Sequence, residues 1–489
     1  MAHRDDRRGS LGVVGDGRIL ALIDSSGVLR WLCHPRFDGP SHYGSLLDPD
    51  GGHHGLVGAI GREQSYIEGT NVLRTLLEVD GGHVALFDHA SSGRLHRHVE
   101  IVEGHPELLW EDEPRPGYGL GGEAEDLVTV ETYPERLHRA VTQDREWLAR
   151  VDTPDSRSAL VLRLLQHVDG GIAAAATTSI PEARGEVRNW DYRYAWVRDG
   201  CFAAEVLASL GATEEASRFL AFLHRHVGPP VQPLYGLGGE TSLPERVLEH
   251  WCGWEGNGPV RVGNAAATQI QLDAPGQILW LAQRLDWRRD LDWLRAIAGE
   301  LRPWVPDNGI WEFRERPAVH LHTQLWVGLG LRAAEELLGE DLGSESHFAR
   351  LLDRPWFPQS LEREVPDASS LLFGLLGVVE PDDPRMLETI ARCEDHLVVD
   401  GLMKRYVADD DFGQTTSTFS TCTLWWIESI ARAGQQDRAR KLLANFRSFS
   451  NPLGLYSEDI DPIRGEQLGN FPQAYTHIAL LRVLRALGE

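Results

Sequence analysis

Three segments of the chain gather side chains that could bind and cleave a polar substrate. The first, RNWDYRYAWVRDG at 188–200, sets Trp190, Tyr192, Tyr194 and Trp196 beside Arg198 and Asp199. Aromatic rings form a platform for the apolar face of a pyranose, and an Arg–Asp pair donates to and accepts from its hydroxyls. The same residues read equally well as a helix start with a structural ion pair. In the second, PDNGIWEFRERP at 306–317, Glu312 directly follows Trp311. A carboxyl group desolvated by an indole holds its proton towards neutral pH, as a general acid must. Trp-Glu pairs are also common on solvated loops, which is the plainer reading. The third, GLYSEDIDPIRGEQLGNFPQAYTH at 454–477, carries Glu458, Asp459, Asp461 and Glu466. A catalytic base, a metal site and a solvated acidic turn all fit it, although the spacing matches no EF-hand loop.

Together the three segments point to a hydrolase working with two carboxyl groups from separate loops. No nucleophile triad, phosphate-binding glycine loop or metal cluster competes, and the glycines at 236–239 follow no convincing strand. Neither a cofactor nor a metal is expected. His320, His322 and His477 fall on helices or at their starts, where structural histidines are the common case.

These loops need a frame. From about 10 to 110, short apolar runs joined by Ser-Ser-Gly and Asp-Gly-Gly read as hairpins of a small β domain (1–110). The acidic, Pro- and Gly-rich stretch that follows, turning into a charged helical pattern near 131–150, reads as a linker (111–153). Beyond it the apolar period becomes helical. Amphipathic patterns fall near 156–168, 199–210, 213–227, 273–286, 288–302, 319–338, 345–354, 367–378, 384–397, 419–433, 435–448 and 472–487. Twelve such helices predict a mainly α fold, six helical hairpins closed into an (α/α)6 barrel over 154–489. Periodicity alone also permits a helical solenoid, but no repeat of fixed period is visible.

Composition narrows the partners. The 73 acidic residues against 48 Lys and Arg give a formal charge of −25, a field that repels nucleic acid and anionic membranes. A neutral small-molecule carbohydrate suits it better. Five scattered cysteines form no metal-ligand cluster, and neither an apolar leader nor a stretch of about 18 apolar residues occurs, so a cytoplasmic protein is expected. Oligomeric state is not legible.

Four stretches resemble glycoside hydrolase family 15, the glucoamylases and their bacterial glucodextranase, trehalase and isomaltose-hydrolase relatives. They are AAATTSIPEARGEVRNWDYRYAWVRDG at 174–200, PERVLEHWCGWEGNGPVRVGNAA at 244–266, GIWEFR at 309–314, and LYSEDIDPIRGEQLGNFPQAYTHIAL at 455–480. The β region resembles bacterial members through LGVVGDGRILALIDSSGVLRWLCHPRFDGP at 11–40 and YIEGTNVLRT at 66–75.

The resemblance implies an (α/α)6 barrel preceded by a β-sandwich-like domain. It further implies Glu312 as general acid, flanked by Trp311, and Glu458 as general base. Tyr192, Trp196, Arg198 and Asp199 then line the pocket for the non-reducing glucose, and Arg405 matches a further hydroxyl-binding arginine. The expected activity is inverting, exo-acting hydrolysis of a small soluble α-glucoside such as isomaltose, trehalose or a maltooligosaccharide. In such chemistry the two carboxyls stand about 6.5–9.5 Å apart. Cleavage of a specialised-metabolite glucoside, phosphorolysis, and non-catalytic sugar binding on the same fold are the alternatives.

Overall fold

The computed structural model describes residues 11–131, 134–314 and 317–489. The charged stretch 1–10 and residues 315 and 316 of the Trp-Glu segment lie outside them.

The apolar runs of the N-terminal part form β1 (Gly12–Gly15), β2 (Leu20–Ile23), β3 (Leu29–Cys33), β4 (Ser41–Tyr43), β5 (His53–Leu56), β6 (Ile60–Tyr66), β7 (Leu73–Val79), β8 (Gly82–Ser91) and β9 (Arg94–Gly104). One sheet runs β1-β2-β3-β5 with β4 beside β3, and the other runs β9-β8-β7-β6. The Ser-Ser-Gly hairpin is set by Asp24, whose Oδ1 accepts from the backbone of Ser26 and Val28. Within the stretch read as a linker lie two further strands. β10 (Trp110–Glu113) pairs antiparallel with β5, and β11 (Val128–Glu131) pairs parallel with β9. Both are solvent-facing edge strands, WEDE and VTVE, so they lack the apolar run that marks a buried strand. The charged pattern that follows forms α1 (Glu135–Leu148).

Every helical segment expected beyond it is present. In order they are α2 (Ser156–Leu164), α3 (Val197–Ser209), α4 (Thr213–His226), α5 (Ala274–Arg284), α6 (Leu291–Ala298), α7 (Leu321–Leu338), α8 (Ser344–Leu351), α9 (Leu372–Leu375), α10 (Pro384–Leu397), α11 (Ser420–Arg432), α12 (Gln436–Arg447) and α13 (Ala474–Leu487). A 3-10 turn, Ala368–Leu371, leads into the single turn of α9. Asp155, Asp290 and Asp383 start α2, α6 and α10 by accepting from the backbone N–H groups of Ser158, Trp293 and Arg385.

Helix contacts lead from α3 to α5, from α5 to α7, through the 368–371 turn to α11, then to α13 and back to α3. These helices are buried nearly all round. Against them pack α4, α6, α8, α10, α12 and α2, which are mostly apolar on one face only. One apolar core continues from the helices into the β region, joining Leu20 and Trp31 to Leu160 and Phe222. Arg193 is sealed at that junction. It donates to both oxygens of Asp191, at 2.8 and 2.6 Å, and reaches the Gly39 carbonyl at 2.6 Å and the Tyr118 hydroxyl at 3.0 Å. None of the described helices is long and apolar enough to cross a membrane, and the five cysteines are free thiols.

Candidate active site

The segments singled out in the sequence lead into the N-terminal ends of the buried helices. The two-residue strand Ala195–Trp196 pairs with Leu234–Tyr235 and runs directly into α3, which puts Arg198 and Asp199 in its first turn. Phe419 immediately precedes α11, and Tyr475 lies in the first turn of α13. A helix N-terminus carries partial positive charge, so a carboxylate such as Asp199 is favoured there. The first and third segments are stitched together. Asn470 donates from its side chain to the Trp190 carbonyl at 2.8 Å and accepts from the Thr177 hydroxyl at 3.0 Å, while Gly469 N–H donates to the Pro181 carbonyl at 2.8 Å.

Tyr192, Trp196, Arg198, Asp199, Trp311, Glu312, Arg405 and Glu458 all line one pocket of about 780 Å³, its open mouth included. Three buried polar atoms on its wall, Trp196 Nε1, Glu458 Oε1 and the Tyr475 hydroxyl, have no hydrogen-bond partner among the described residues, and Arg198 Nε and Asp199 Oδ2 have only each other, as an ion pair at 3.4 Å. An unpaired buried polar group costs about 1–3 kcal/mol, so their convergence on one pocket suits a wall that meets a polar ligand.

Glu312 sits in a tight turn. Its N–H donates to the Gly309 carbonyl at 3.1 Å, and its own φ is +63°, a left-handed conformation that L residues other than Gly, Asn and Asp seldom adopt. The side chain remains one-fifth exposed, at the wall of the cleft. Burial pushes its carboxyl up to about 7, against the opposing pull of Arg198 and with a further upward push from Glu182. Trp311 lines the same pocket as Glu312. Its indole N–H is tied to Asp367, at 2.9 and 3.1 Å, and its ring packs edge-on against Phe419.

Glu458 is fully buried. Its Oε2 accepts from Asn470 N–H at 3.3 Å, and its carboxyl is pushed well above the usual range by burial and by the neighbouring Glu182 and Asp459. Arg405 forms an ion pair with Glu182.

Residues 158–338 and 345–485 match the family model described as Glycosyl hydrolases family 15. The chain belongs to this family. A family 15 member of this kind is a glycoside hydrolase, and two relatives resemble it over nearly their whole length. It is 31% identical to the trehalase of Mycobacterium tuberculosis, with 96% of this chain and 88% of that protein aligned. Trehalase 1 of Sulfolobus acidocaldarius is 29% identical over 97% of this chain and 98% of its own. Among solved structures, a bacterial glucoamylase complexed with acarbose superposes with a TM-score of 0.70 at 13% identity, covering 99% of this chain and 94% of that one, and shares the fold.

Several pocket residues of this family 15 hydrolase escaped the sequence reading, notably Glu182, Arg188, Arg314, Phe412 and Tyr475. Glu182 lies in PEARGEV and Tyr475 in FPQAYTH, stretches that carry the family resemblance, and that is the signal that could have found them. Others fall away from the pocket. Glu466 pairs with Arg184 at 2.7 Å, and Asp461 turns its own loop by accepting from Ile463 and Arg464 N–H. His477 accepts from Tyr456 N–H and contacts Ser158 Oγ at 2.9 Å, a structural role. Asp459, in the loop for which a solvated acidic turn was one of the readings, is buried against Glu458 and Glu182.

Proposed function

We propose that this glycoside hydrolase releases β-glucose from the non-reducing end of a small soluble α-glucoside, with trehalose as the leading candidate, by single displacement. Glu312 protonates the departing oxygen while Glu458 takes a proton from water on the opposite face of the ring. Tyr192, Trp196, Arg198, Asp199 and Arg405 hold the glucose, and Trp311 walls the pocket beside the acid. The observation that carries this reading is the joint presence on one pocket wall of Glu312, Glu458, the Arg198–Asp199 ion pair and three buried polar atoms without a hydrogen-bond partner among the described residues.

The circuit of buried helices, with a second layer packed outside it, is read as an (α/α)6 barrel with the pocket at the N-terminal ends of its inner helices. The β part is read as a separate sandwich-like domain, and the free thiols suit a reducing compartment such as the cytoplasm. Trehalose leads because the relatives aligned over nearly the whole chain are trehalases. Isomaltose belongs on the test panel too, since an isomaltose glucohydrolase of Kribbella flavida aligns with 60% of the chain at 26% identity.

The test is glucose release from trehalose, maltose, isomaltose, nigerose and kojibiose, with the first-formed anomer followed by NMR. The expected result is one β-glucose and one α-glucose from each trehalose, the β-anomer coming from the attacked ring and the α-anomer from the departing one, with both lost in Glu312→Gln and Glu458→Ala. Initial release of α-glucose alone would overturn single displacement, and inactivity on the whole panel would overturn the substrate class.

A further inference from the structure

Three carboxyl groups meet where one base is needed. Glu182, Glu458 and Asp459 each bring an oxygen within 4.8 Å of the other two, and all three are buried. The positive charge in contact with the cluster is Arg405, which is committed to Glu182. Arg188 is nearby but engaged by Glu186 and Asp410, at 2.6 and 2.7 Å. Tyr192, partly buried on the same pocket wall, has its hydroxyl pushed well above its ordinary value by desolvation and by the charge of Glu458, so it stays protonated. Like charges this close in a dry site do not all ionise, and such groups share protons.

The hydrogen bonds say which group is fixed as an anion. Glu182 has one oxygen on Arg405, and the other accepts from Trp190 Nε1–H at 3.0 Å. The other two groups differ in their partners. Glu458 Oε2 is held by a backbone N–H, which can only donate, whereas Asp459 Oδ1 is held by the Ser417 hydroxyl at 2.8 Å, which serves as donor or acceptor. Asp459 therefore tolerates a proton better than Glu458. Its Oδ2, like Glu458 Oε1, finds no partner among the described residues.

We propose that Glu182 is a positioning residue for the base: its fixed charge confines Glu458 and Asp459 to one proton between them, and Asp459 carries it. Glu458 is thereby left as the anion facing the pocket. During turnover Glu458 takes one proton from the attacking water and releases it after the sugar departs, while Asp459 keeps its own. The inference rests on Glu458 acting as the base.

The experiment is the pH profile of kcat/KM on the disaccharide the enzyme turns over, for wild type, Glu182→Gln and Asp459→Asn. The acid limb reports ionisation of the base. Removing the Glu182 charge relieves Glu458, so the limb moves to lower pH, by about one unit for a like charge this close. An unmoved limb in Glu182→Gln that melts within a few degrees of wild type overturns the proposal. Should that variant not fold, Asp459 decides. Asparagine keeps an N–H where the carboxyl holds its O–H and is neutral as the protonated carboxyl is, so Asp459→Asn is expected to turn over at least tenfold faster than Asp459→Ala, with its acid limb close to that of wild type; a limb displaced by a full unit would show that Asp459 carries charge and would overturn the assignment. Equal loss in both Asp459 variants overturns the assignment of the proton. Turnover surviving in Glu458→Ala would instead sink the base itself, a separate failure.

Discussion

Glu312 and Arg198 face each other across the inner pocket, Oε1 to Nη2 at 4.0 Å. The guanidinium favours the carboxylate and burial favours the acid, with burial prevailing at about 7. A group that acts as a proton donor loses effect as pH rises through that value, so the basic limb of kcat/KM is expected near pH 7. In Arg198→Met the opposing cation is gone and the limb moves to higher pH, alongside a raised KM. Profiles of the two proteins check this, and a limb unmoved by the substitution would show that Arg198 does not tune the acid.

Gly469 leaves no room beside Glu458. Its φ is +73°, and a Cβ there would lie 2.7 Å from both Cβ and Oε2 of Glu458. Gly469→Ala should cost about 1 kcal/mol or more from backbone conformation alone. The clash is also expected to shift Glu458, lowering kcat at least tenfold with a smaller effect on KM. Thermal melts and steady-state kinetics read the two consequences separately.

The buried Asp307 predicts a pH dependence of stability. It accepts from Leu272 N–H and the Thr323 hydroxyl, yet burial first, and the charge of Asp273 second, push its carboxyl up to about 8. Between its unfolded value near 4 and that folded value, the folded state binds more protons than the unfolded one, so this contribution to stability is lost as pH rises from about 4 to 8. Asp307→Asn removes the titration. Its Tm should therefore fall less than that of wild type between pH 5 and pH 8, and parallel declines would count against the assignment.

Arg193 binds the site to the β region. In Arg193→Met, Asp191 is left buried without its partner, a change that typically costs about 3–5 kcal/mol. Because Asp191 separates Trp190 from Tyr192, the loss is expected to raise KM as well as lower the melting temperature. A variant with lower Tm but wild-type KM would show that the anchor is structural only.

The outer helical layer was legible because its burial is one-sided. In α10, buried Met386, Thr389, Ile390, Cys393 and Leu397 follow the helical period directly. The edge strands β10 and β11 were not, since only a strand covered on one face shows apolar alternation. The eight residues proposed for the site stood out by composition and by family resemblance, and the fold brings them into one pocket. Glu182 did not stand out, because what makes it special is remote. The ion partner of Glu182 lies 223 residues further along the chain, and nothing local distinguishes its carboxyl from a solvated turn.

A chain of helices whose last member packs on its first has no free end at which a hairpin could be gained or dropped. Open helical arrays lengthen or shorten in evolution by duplicating units at their ends; here the number of members is locked by closure, and Asn451 even donates to the Leu11 carbonyl across 440 residues. The segments that connect the helices are the ones that line the pocket, so their residues can change without breaking that circuit.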